Sequence, residues 1–446
     1  MLCAIPIETT IRELDGVLYQ ALHLAKRGLP TLIGERVVNQ IVENSGKPVI
    51  YFNNDHFASI GEAVKKSEGR VVNIHAEGIN LVDSPHVTGL FAKSAAQASV
   101  LCAWGERQAH LVKSALTEDI VDHVIVTGHP SFDLAHERFC RYYENPEIVE
   151  RYGRDYILIN TNFAYINHMM GLEKYIHMIR KSIEIFNDDD HIRSVRVLAA
   201  YQESLMYPFI ELAKSLAREF PSKYVIIRPH PVESAEMYVK ACSSLPNVVV
   251  SKEGSVREWL ATSGAVIHHD CTTGIESLFM RKPTIHFRPV FDASIAAHIA
   301  SLAGVSATTE QEVLDIVRNG EVPKDVVDAQ LGSLEPYFAN LKQNASEVLA
   351  GIAQEYARGV ETWMPQPLGV MQDIKVWRKY LSKRLRALQP GHNGRKVKHS
   401  LVKFSRLPMS VVKGRLERLR QIESDLPDVN VVRLCLDTFL IVPKNI

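Results

Sequence analysis

Short apolar runs alternate with helical patterns along most of the chain. In the first half these runs lie at 2–7, 30–33, 48–52, 70–74, 99–103 and 123–126. Between the first two runs, apolar side chains recur at helical spacing from Ile11 to Ala25, and Gly28 follows as a stop signal. This alternation is typical of βαβ units and predicts a mostly parallel sheet.

A second series of apolar runs begins after a polar helical stretch that ends near Gly153. Its members lie at 156–160, 195–199, 224–227, 247–250, 265–268 and 284–286. The predicted fold is therefore α/β, with two Rossmann-like doubly wound domains facing a cleft, C-terminal helices and a basic tail. We place these parts at 1–149, 150–335, 336–389 and 390–446.

Composition narrows the class of protein. A chain of 446 residues with 46% apolar content is long enough for more than one core, and its formal charge of zero excludes a globally basic nucleic-acid binder. Six scattered cysteines without a CxxC pair fit a reducing compartment. We find no leader segment and no apolar stretch of membrane-spanning length, so we expect a cytoplasmic protein.

The tetrapeptide Arg228-Pro-His-Pro231 directly follows a predicted strand. Proline has a fixed φ and lacks an N–H, so the two prolines would hold His230 in a rigid extended turn. Arg228 and His230 could then bind or protonate a phosphate, in donor-binding and catalytic roles respectively. The alternative is a stiff loop with a solvated histidine.

The segment from Asp270 to Glu276 also follows a predicted strand. Thr272, Thr273 and Gly274 stand where a helix should begin, so their backbone N–H groups could meet a phosphate. Glu276, one turn further, could accept hydrogen bonds from a ribose diol. The alternative is that Thr272 and Glu276 only cap the helix.

Other polar residues also follow predicted strands. Asn162 could donate to a substrate oxygen or shape a turn. Glu8 and Glu77 follow strands of the first domain, where either could deprotonate an acceptor hydroxyl. The cluster from His268 to Cys271 invites a zinc interpretation, but consecutive strand residues point to opposite faces, so we expect no metal and no cofactor.

These motifs resemble those of bacterial surface carbohydrate biosynthesis proteins, which have a two-domain architecture of GT-B type. The resemblance covers about residues 5–335 and includes Pro6-Ile-Glu8, Trp104-Gly-Glu106, Ile159-Asn-Thr-Asn-Phe163, Arg228-Pro-His-Pro231 and Lys282-Pro283.

The His-Pro element and the glutamate at the helix start are also similar to those of capsule transferases that use CMP-Kdo and of sialyltransferases. That resemblance implies that His230 contacts the donor phosphate and Glu276 the ribose. The chain departs from the pattern at Arg281, where a glycine is usual before Lys-Pro.

Positive charge is concentrated near the end of the chain. Residues 375–420 contain fifteen Lys or Arg and one acid, Glu417, with aromatic and leucine side chains interleaved. Such a segment can lie on an anionic membrane surface. A free or partner-binding tail and nucleic-acid contact are the alternatives, and no nucleic-acid motif accompanies the charge.

The sequence therefore predicts a metal-independent glycosyltransferase, cytoplasmic and peripheral on the inner membrane. It would transfer a sugar from a nucleotide donor, CMP-linked by resemblance, to a surface-glycan or lipid-linked glycan acceptor. Two alternatives stay open, a nucleotide-sugar epimerase or hydrolase of the same fold, and a non-catalytic assembly protein that binds a nucleotide.

Overall fold

The computed structural model describes most of the chain. It covers residues 1–444 apart from 36, 54–59, 75–97, 115, 119, 183–188, 293, 296–298, 390–396, 398–400, 402 and 405. The chain divides into two compact units, one formed by Met1–Leu134 with Glu335–Ile446 and the other by Ala135–Leu334.

Each unit contains one sheet. The strands, in chain order, are β1 (Leu2–Pro6), β2 (Thr31–Gly34), β3 (Val49–Asn53), β4 (Arg70–Ile74), β5 (Val100–Ala103), β6 (Val124–Val126), β7 (Tyr156–Asn160), β8 (Val225–Arg228), β9 (Val248–Val250), β10 (Ser263–His268), β11 (Thr284–Phe287), β12 (Val305–Ala307), β13 (Val429–Cys435) and β14 (Thr438–Pro443).

Helices connect these strands. In chain order they are α1 (Thr10–Lys26), α2 (Val37–Ser45), α3 (Gly61–Lys66), α4 (Glu106–Ser114), α5 (Pro130–Asp133), α6 (Cys140–Tyr143), α7 (Pro146–Tyr152), α8 (Leu172–Ser182), α9 (Asp189–Glu219), α10 (Glu236–Cys242), α11 (Val256–Leu260), α12 (Thr272–Phe279), α13 (Glu310–Asn319), α14 (Lys324–Leu334), α15 (Ala345–Ala357), α16 (Val370–Ala387) and α17 (Met409–Ile422).

The sheet of the first unit has the order β13-β14-β2-β1-β3-β4-β5-β6. Strands β1 to β6 pair in parallel, and β14 joins β2 antiparallel. The chain moves outward from β1 in both directions, so the strand order reverses between β1 and β3. A buried apolar cluster that includes Leu2, Val49 and Leu440 lies on this sheet.

The sheet of the second unit is entirely parallel, in the order β12-β11-β10-β7-β8-β9. The chain runs from β7 through β8 to β9 and then returns to β10 on the other side of β7. This is the 3-2-1-4-5-6 order of a Rossmann domain, with the reversal between β7 and β10. The predicted fold class of two Rossmann-like domains is thus confirmed.

The expected domain boundaries need correction at both ends of the second domain. Residues 135–152 belong to the second unit, where the Tyr143 hydroxyl accepts a hydrogen bond from Arg257 at 3.1 Å. At the other end, residues 335–446 belong with the first unit. The buried carboxylate of Asp133 accepts hydrogen bonds from the N–H groups of Ala345 and Ser346, both at 2.8 Å, which fixes the start of α15.

The predicted basic tail at 390–446 is also wrong. Its last part forms the hairpin of β13 and β14, and β14 is almost fully buried against β2. The apolar residues from Phe439 to Val442 carry this pairing because they complete the edge of the first sheet.

One expected strand is a helix. Residues 195–199 lie inside α9, where Ile192, Val195 and Ala199 recur on one buried side. The apolar run was too short to separate strand from helix by spacing alone.

Candidate functional site

Three loops of the second unit follow neighbouring parallel strands at one edge of its sheet. They are residues 160–163 after β7, 228–233 after β8 and 268–273 after β10, and we call them the edge loops. The first and third flank the reversal point, where open α/β sheets bind ligands. Since β7 separates β8 from β10, the second and third loops start about 10 Å apart.

His230 lies in the second edge loop and is half-buried. Its backbone N–H donates to Glu233 Oε1 at 3.0 Å, and its ring Nδ1 accepts from the N–H of Val232 at 3.4 Å. An accepting Nδ1 places the proton of the neutral ring on Nε2. The loop therefore fixes both the position of His230 and its tautomer.

Glu233 is fully buried and joins the first edge loop to the second. Besides the His230 N–H, its carboxylate accepts hydrogen bonds from the Thr161 hydroxyl (2.9 Å), the Phe163 N–H (2.9 Å), the Asn167 amide (3.3 Å) and the Tyr238 hydroxyl (2.6 Å). Five donors compensate the burial of one carboxylate. Sequence reasoning missed this role, because the only signal was a glutamate three residues after His230.

Asn162 joins the first edge loop to the third. Its side-chain amide donates to the backbone carbonyl of Asp270 at 3.0 Å, and the backbone carbonyl of Asn162 accepts from the Gln202 side chain at 2.9 Å. This side-chain amide therefore orders two loops at the reversal point.

Arg228 has a different environment from the one the sequence suggested. Two of its nitrogens donate to the carbonyls of Glu253 and Gly254, at 2.6 and 3.1 Å, and its guanidinium lies over the Trp259 ring. Burial lowers the pKa of Arg228 to about 10. These contacts hold the loop after β9, and the expected contact of Arg228 with the donor stays a prediction.

The third edge loop leads into α12, which begins at Thr272 as expected. Thr272 and Thr273 are partly exposed at this helix start. The N–H of Gly274, however, donates to the carbonyl of Cys271 at 3.0 Å. This N–H is therefore engaged in a local turn, and the expected phosphate contact of Gly274 stays a prediction.

Gly274 is needed for close packing. A Cβ at this position would lie 2.3 Å from Nε2 of the buried His268 ring. That ring is hydrogen-bonded through Nε2 to the carbonyl of Ala303 at 2.7 Å and stacks on His286. The glycine lets α12 approach the end of β10.

Glu276 forms a buried ion pair. Its Oε2 accepts from Nε of Arg257 at 2.6 Å, and the two side chains are 14% and 8% exposed. Arg257 also donates to the Tyr143 hydroxyl. The pair fixes the Glu276 carboxylate within the first turns of α12, and its expected contact with a ribose stays a prediction.

Two buried histidines converge on one carboxylate beside these loops. Nε2 of His269 and Nε2 of His286 lie 3.3 and 3.2 Å from the two oxygens of Asp270. Alternation along a strand made this convergence unexpected, but Asp270 has φ of 39°, which turns the chain at the end of β10, and His286 comes from β11. Burial lowers the pKa of His268 to about 3 and that of His269 to about 4.

Within the residues that the structure describes, no group of three or more His, Cys, Asp or Glu side chains is arranged to hold a metal ion.

In the first unit, Glu8 lies just after β1, beside the reversal point of that sheet. Its side chain is exposed and pairs with Lys403 at 2.8 Å. Glu13 is nearby, where it accepts from the N–H groups of Glu8 and Thr9, and burial raises its pKa to about 7. Glu77 lies outside the described residues.

The departure at Arg281 has a conformational explanation. Its φ is 55°, in the left-handed region that favours glycine. Arg281 accepts this backbone and pairs with Asp328 at 2.7 Å. The turn before Lys282-Pro283 therefore keeps the conformation that a glycine would supply.

Comparisons with known proteins bear on the fold. No protein-family model and no curated protein sequence matches the chain. Among solved structures, a protein assigned as a UDP-N-acetylglucosamine 2-epimerase from Listeria monocytogenes has a TM-score of 0.50 at 11% identity, over 82% of this chain and all of its own. The wall teichoic acid polymerase TagF has a TM-score of 0.50 at 11% identity, over 81% of this chain and 90% of its own. At these identities the likeness shows the fold, which is of GT-B type.

Proposed function

We propose that the chain is a glycosyltransferase of surface-glycan biosynthesis whose nucleotide-sugar donor binds at the edge loops. The observation that carries the proposal is the joining of all three loops at the reversal point, through Glu233 on one side and Asn162 on the other. Rigid loops at this position favour a bound nucleotide. They also bring His230 and the start of α12 to the same edge of the sheet.

In this proposal the edge loops stabilise the leaving group. Negative charge develops on the donor phosphate as the glycosidic bond breaks, and fixed donors aimed at that charge lower the barrier. His230 would donate from Nε2, and Thr272 and Thr273 from the helix start. Glu276 would accept from the ribose through the carboxylate that Arg257 holds in place.

The acceptor hydroxyl must lose a proton during transfer. The expectation that Glu8 or Glu77 takes this proton stays a prediction. Glu13 also follows β1, and burial raises its pKa to about 7, close to the operating pH that suits a general base.

The resemblance to transferases that use CMP-Kdo and CMP-sialic acid favours a CMP-linked donor. The solved structures with this fold include a protein assigned as a UDP-N-acetylglucosamine 2-epimerase and a TagF variant soaked with CDPG. UDP- and CDP-linked donors are therefore the competitors. All six cysteines are free, which supports a cytoplasmic location.

The epimerase alternative is favoured by one observation, the match to a protein assigned as a 2-epimerase at the same TM-score as the polymerase. A nucleotide-binding assembly protein remains the third candidate. The three candidates predict different fates for the donor. A transferase moves the sugar to an acceptor and forms a new glycosidic bond, an epimerase alters the sugar while it stays joined to the nucleotide, and an assembly protein leaves the donor unchanged.

The test is product analysis of the full chain with CMP-, CDP- and UDP-linked donors, with and without a glycan acceptor. The proposal predicts nucleotide release that depends on acceptor, and a lengthened glycan. An altered sugar still joined to its nucleotide would establish the epimerase. Tight nucleotide binding without turnover of any donor would favour the assembly protein.

A further inference from the structure

The helix α16 presents an apolar stripe to solvent. Within this helix and directly after it, the most exposed large apolar residues are Val370 (77%), Met371 (70%), Leu381 (52%), Leu385 (67%) and Leu388 (81%). Since an α-helix turns by about 100° per residue, Val370, Leu381, Leu385 and Leu388 project within a sector of roughly 60°. This is a continuous stripe rather than a scatter of single residues.

Contacts along one flank of α16 attach the helix to the rest of the first unit. Asp373 accepts from the N–H of Leu436 at 3.2 Å and pairs with Arg433 at 3.4 Å. Lys383 pairs with Glu35 at 3.2 Å, and the Arg406 guanidinium lies over Trp377. The stripe is therefore held outward by contacts along the helix.

Positive charge accompanies the stripe. The helix contains six basic residues and a single acid, Asp373, which faces the first unit. Across the described part of the chain, no carboxylate forms an ion pair with Lys375, Arg378, Lys379 or Arg386. One external partner can therefore contact these four cations and the exposed leucines of the stripe together.

We propose that α16 lies in the plane of an anionic lipid bilayer, with its stripe among the acyl chains and its cations at the headgroups. Apolar side chains beside Lys and Arg are the pattern of an interfacial helix. A second copy of the chain would bring like charges together along the stripe. Nucleic acid would match the charge but give the exposed leucines no apolar partner.

The structure assigns this role to α16 rather than to the whole basic region 375–420. In α17, the other basic helix, Val412, Leu416 and Leu419 are buried within the first unit. Phe404 is buried as well. Their apolar side chains are already used in folding, so they do not add to the stripe. The inference goes beyond the proposed transferase activity and does not depend on it.

The experiment is co-sedimentation of the full chain with phosphatidylcholine vesicles and with vesicles of equal parts phosphatidylcholine and phosphatidylglycerol. We expect binding to the anionic vesicles that weakens with added salt. Leu381→Glu with Leu385→Glu should abolish it. Replacing Lys375, Arg378 and Lys379 with Gln should weaken it on the order of 100-fold, since each cation near an anionic surface contributes about fivefold.

The matched control is Met237→Glu with Val239→Glu, two exposed apolar residues of α10 in the second unit. This variant should bind vesicles as the wild type does. Thermal midpoints of all variants should stay close to that of the wild type, because every changed residue is exposed.

Three results would overturn the proposal. The wild type could fail to bind anionic vesicles, or the α16 leucine variant could bind them as well as the wild type does. In the third, the wild type forms a dimer, binds no vesicles, and loses the dimer in the leucine variant. The last would assign the stripe to a second copy of the chain.

Discussion

The backbone N–H of His230 donates to the buried carboxylate of Glu233 at 3.0 Å. The same carboxylate holds Thr161 and Phe163 in the loop after β7. Glu233 therefore positions His230 relative to the neighbouring edge loop.

Replacement of Glu233 by Gln should be strongly destabilising. A glutamine amide cannot accept all five hydrogen bonds, and at least one buried donor would lose its partner, at about 1–3 kcal/mol each. We expect the free energy of unfolding in urea to fall by at least that amount. Tyr238→Phe, which removes one donor to the same carboxylate, should cost about 1 kcal/mol. Equal stability of Glu233→Gln and wild type would contradict the role of Glu233.

The buried ion pair of Arg257 and Glu276 makes a second prediction. Glu276→Gln removes one charge of the pair and should lower the free energy of unfolding by about 3–5 kcal/mol. The control is Glu173→Gln, which breaks the exposed pair of Glu173 and Arg196 and should leave the free energy of unfolding close to that of the wild type.

A ribose contact of Glu276 has its own readout. Wild type should bind a nucleotide more tightly than its 2′-deoxy analogue, and Glu276→Gln should lose that preference. If the preference survives the substitution, Glu276 serves only the ion pair.

Most of the parallel strands in the two sheets were predictable from sequence because they are apolar runs bounded by polar turn residues. The short strand β12, which has an exposed serine at its centre, the helix at 195–199 and the hairpin of β13 and β14 were not. In the hairpin, the mostly apolar stretch from Leu434 to Val442 includes β14, which pairs with the edge of β2 about 400 residues earlier in the chain. Local sequence does not reveal so distant a partner.

For the candidate site, position after a strand predicted His230, Asn162 and Thr272, and the structure places all three in the edge loops. Their partners could not be found in this way. Glu233 joins two separate loops and Arg257 joins two separate helices, and the convergence of His269 and His286 on Asp270 depends on one positive φ. Sequence spacing carries no information on such contacts.

Close packing at Gly274 gives a third prediction. Gly274→Ala would place a methyl group against the His268 ring and should lower the free energy of unfolding by about 1–3 kcal/mol. Gly332 lies in the helix α14 with open space around it, so Gly332→Ala should stabilise by about 0.5–1 kcal/mol. The thermal midpoint should fall for Gly274→Ala and rise for Gly332→Ala. A higher midpoint for Gly274→Ala would contradict the close packing at this position.

The buried histidines predict a loss of stability in acid. Burial lowers the pKa of His268 to about 3 and that of His269 to about 4, while both titrate near 6.5 in the unfolded chain. At a pH between the folded and the unfolded pKa of either histidine, the unfolded state binds more protons than the folded state. The free energy of unfolding therefore falls as pH falls below 6.5. The slope is about 1.4 kcal/mol per pH unit for each histidine.

Glu13 opposes this trend, because its raised pKa makes folding less favourable as pH rises from 4.5 to about 7. Glu13 is present in both wild type and His269→Phe, so its contribution cancels when the two proteins are compared. Urea unfolding at pH 7 and pH 5 should show a drop that is roughly 2 kcal/mol smaller in the variant. Equal drops would mean that His269 does not remain neutral in the folded chain.

The central claim is that a nucleotide binds at the edge loops, and titration calorimetry with CMP, CDP, UDP and GDP tests it most directly. The proteins to compare are wild type, His230→Asn and the control His177→Asn, which changes an exposed histidine of α8. We predict that one nucleotide, CMP by resemblance, binds wild type and the control equally, and binds His230→Asn at least tenfold more weakly, about 1.4 kcal/mol. No binding of any nucleotide, or equal affinity for all three proteins, would contradict the claim.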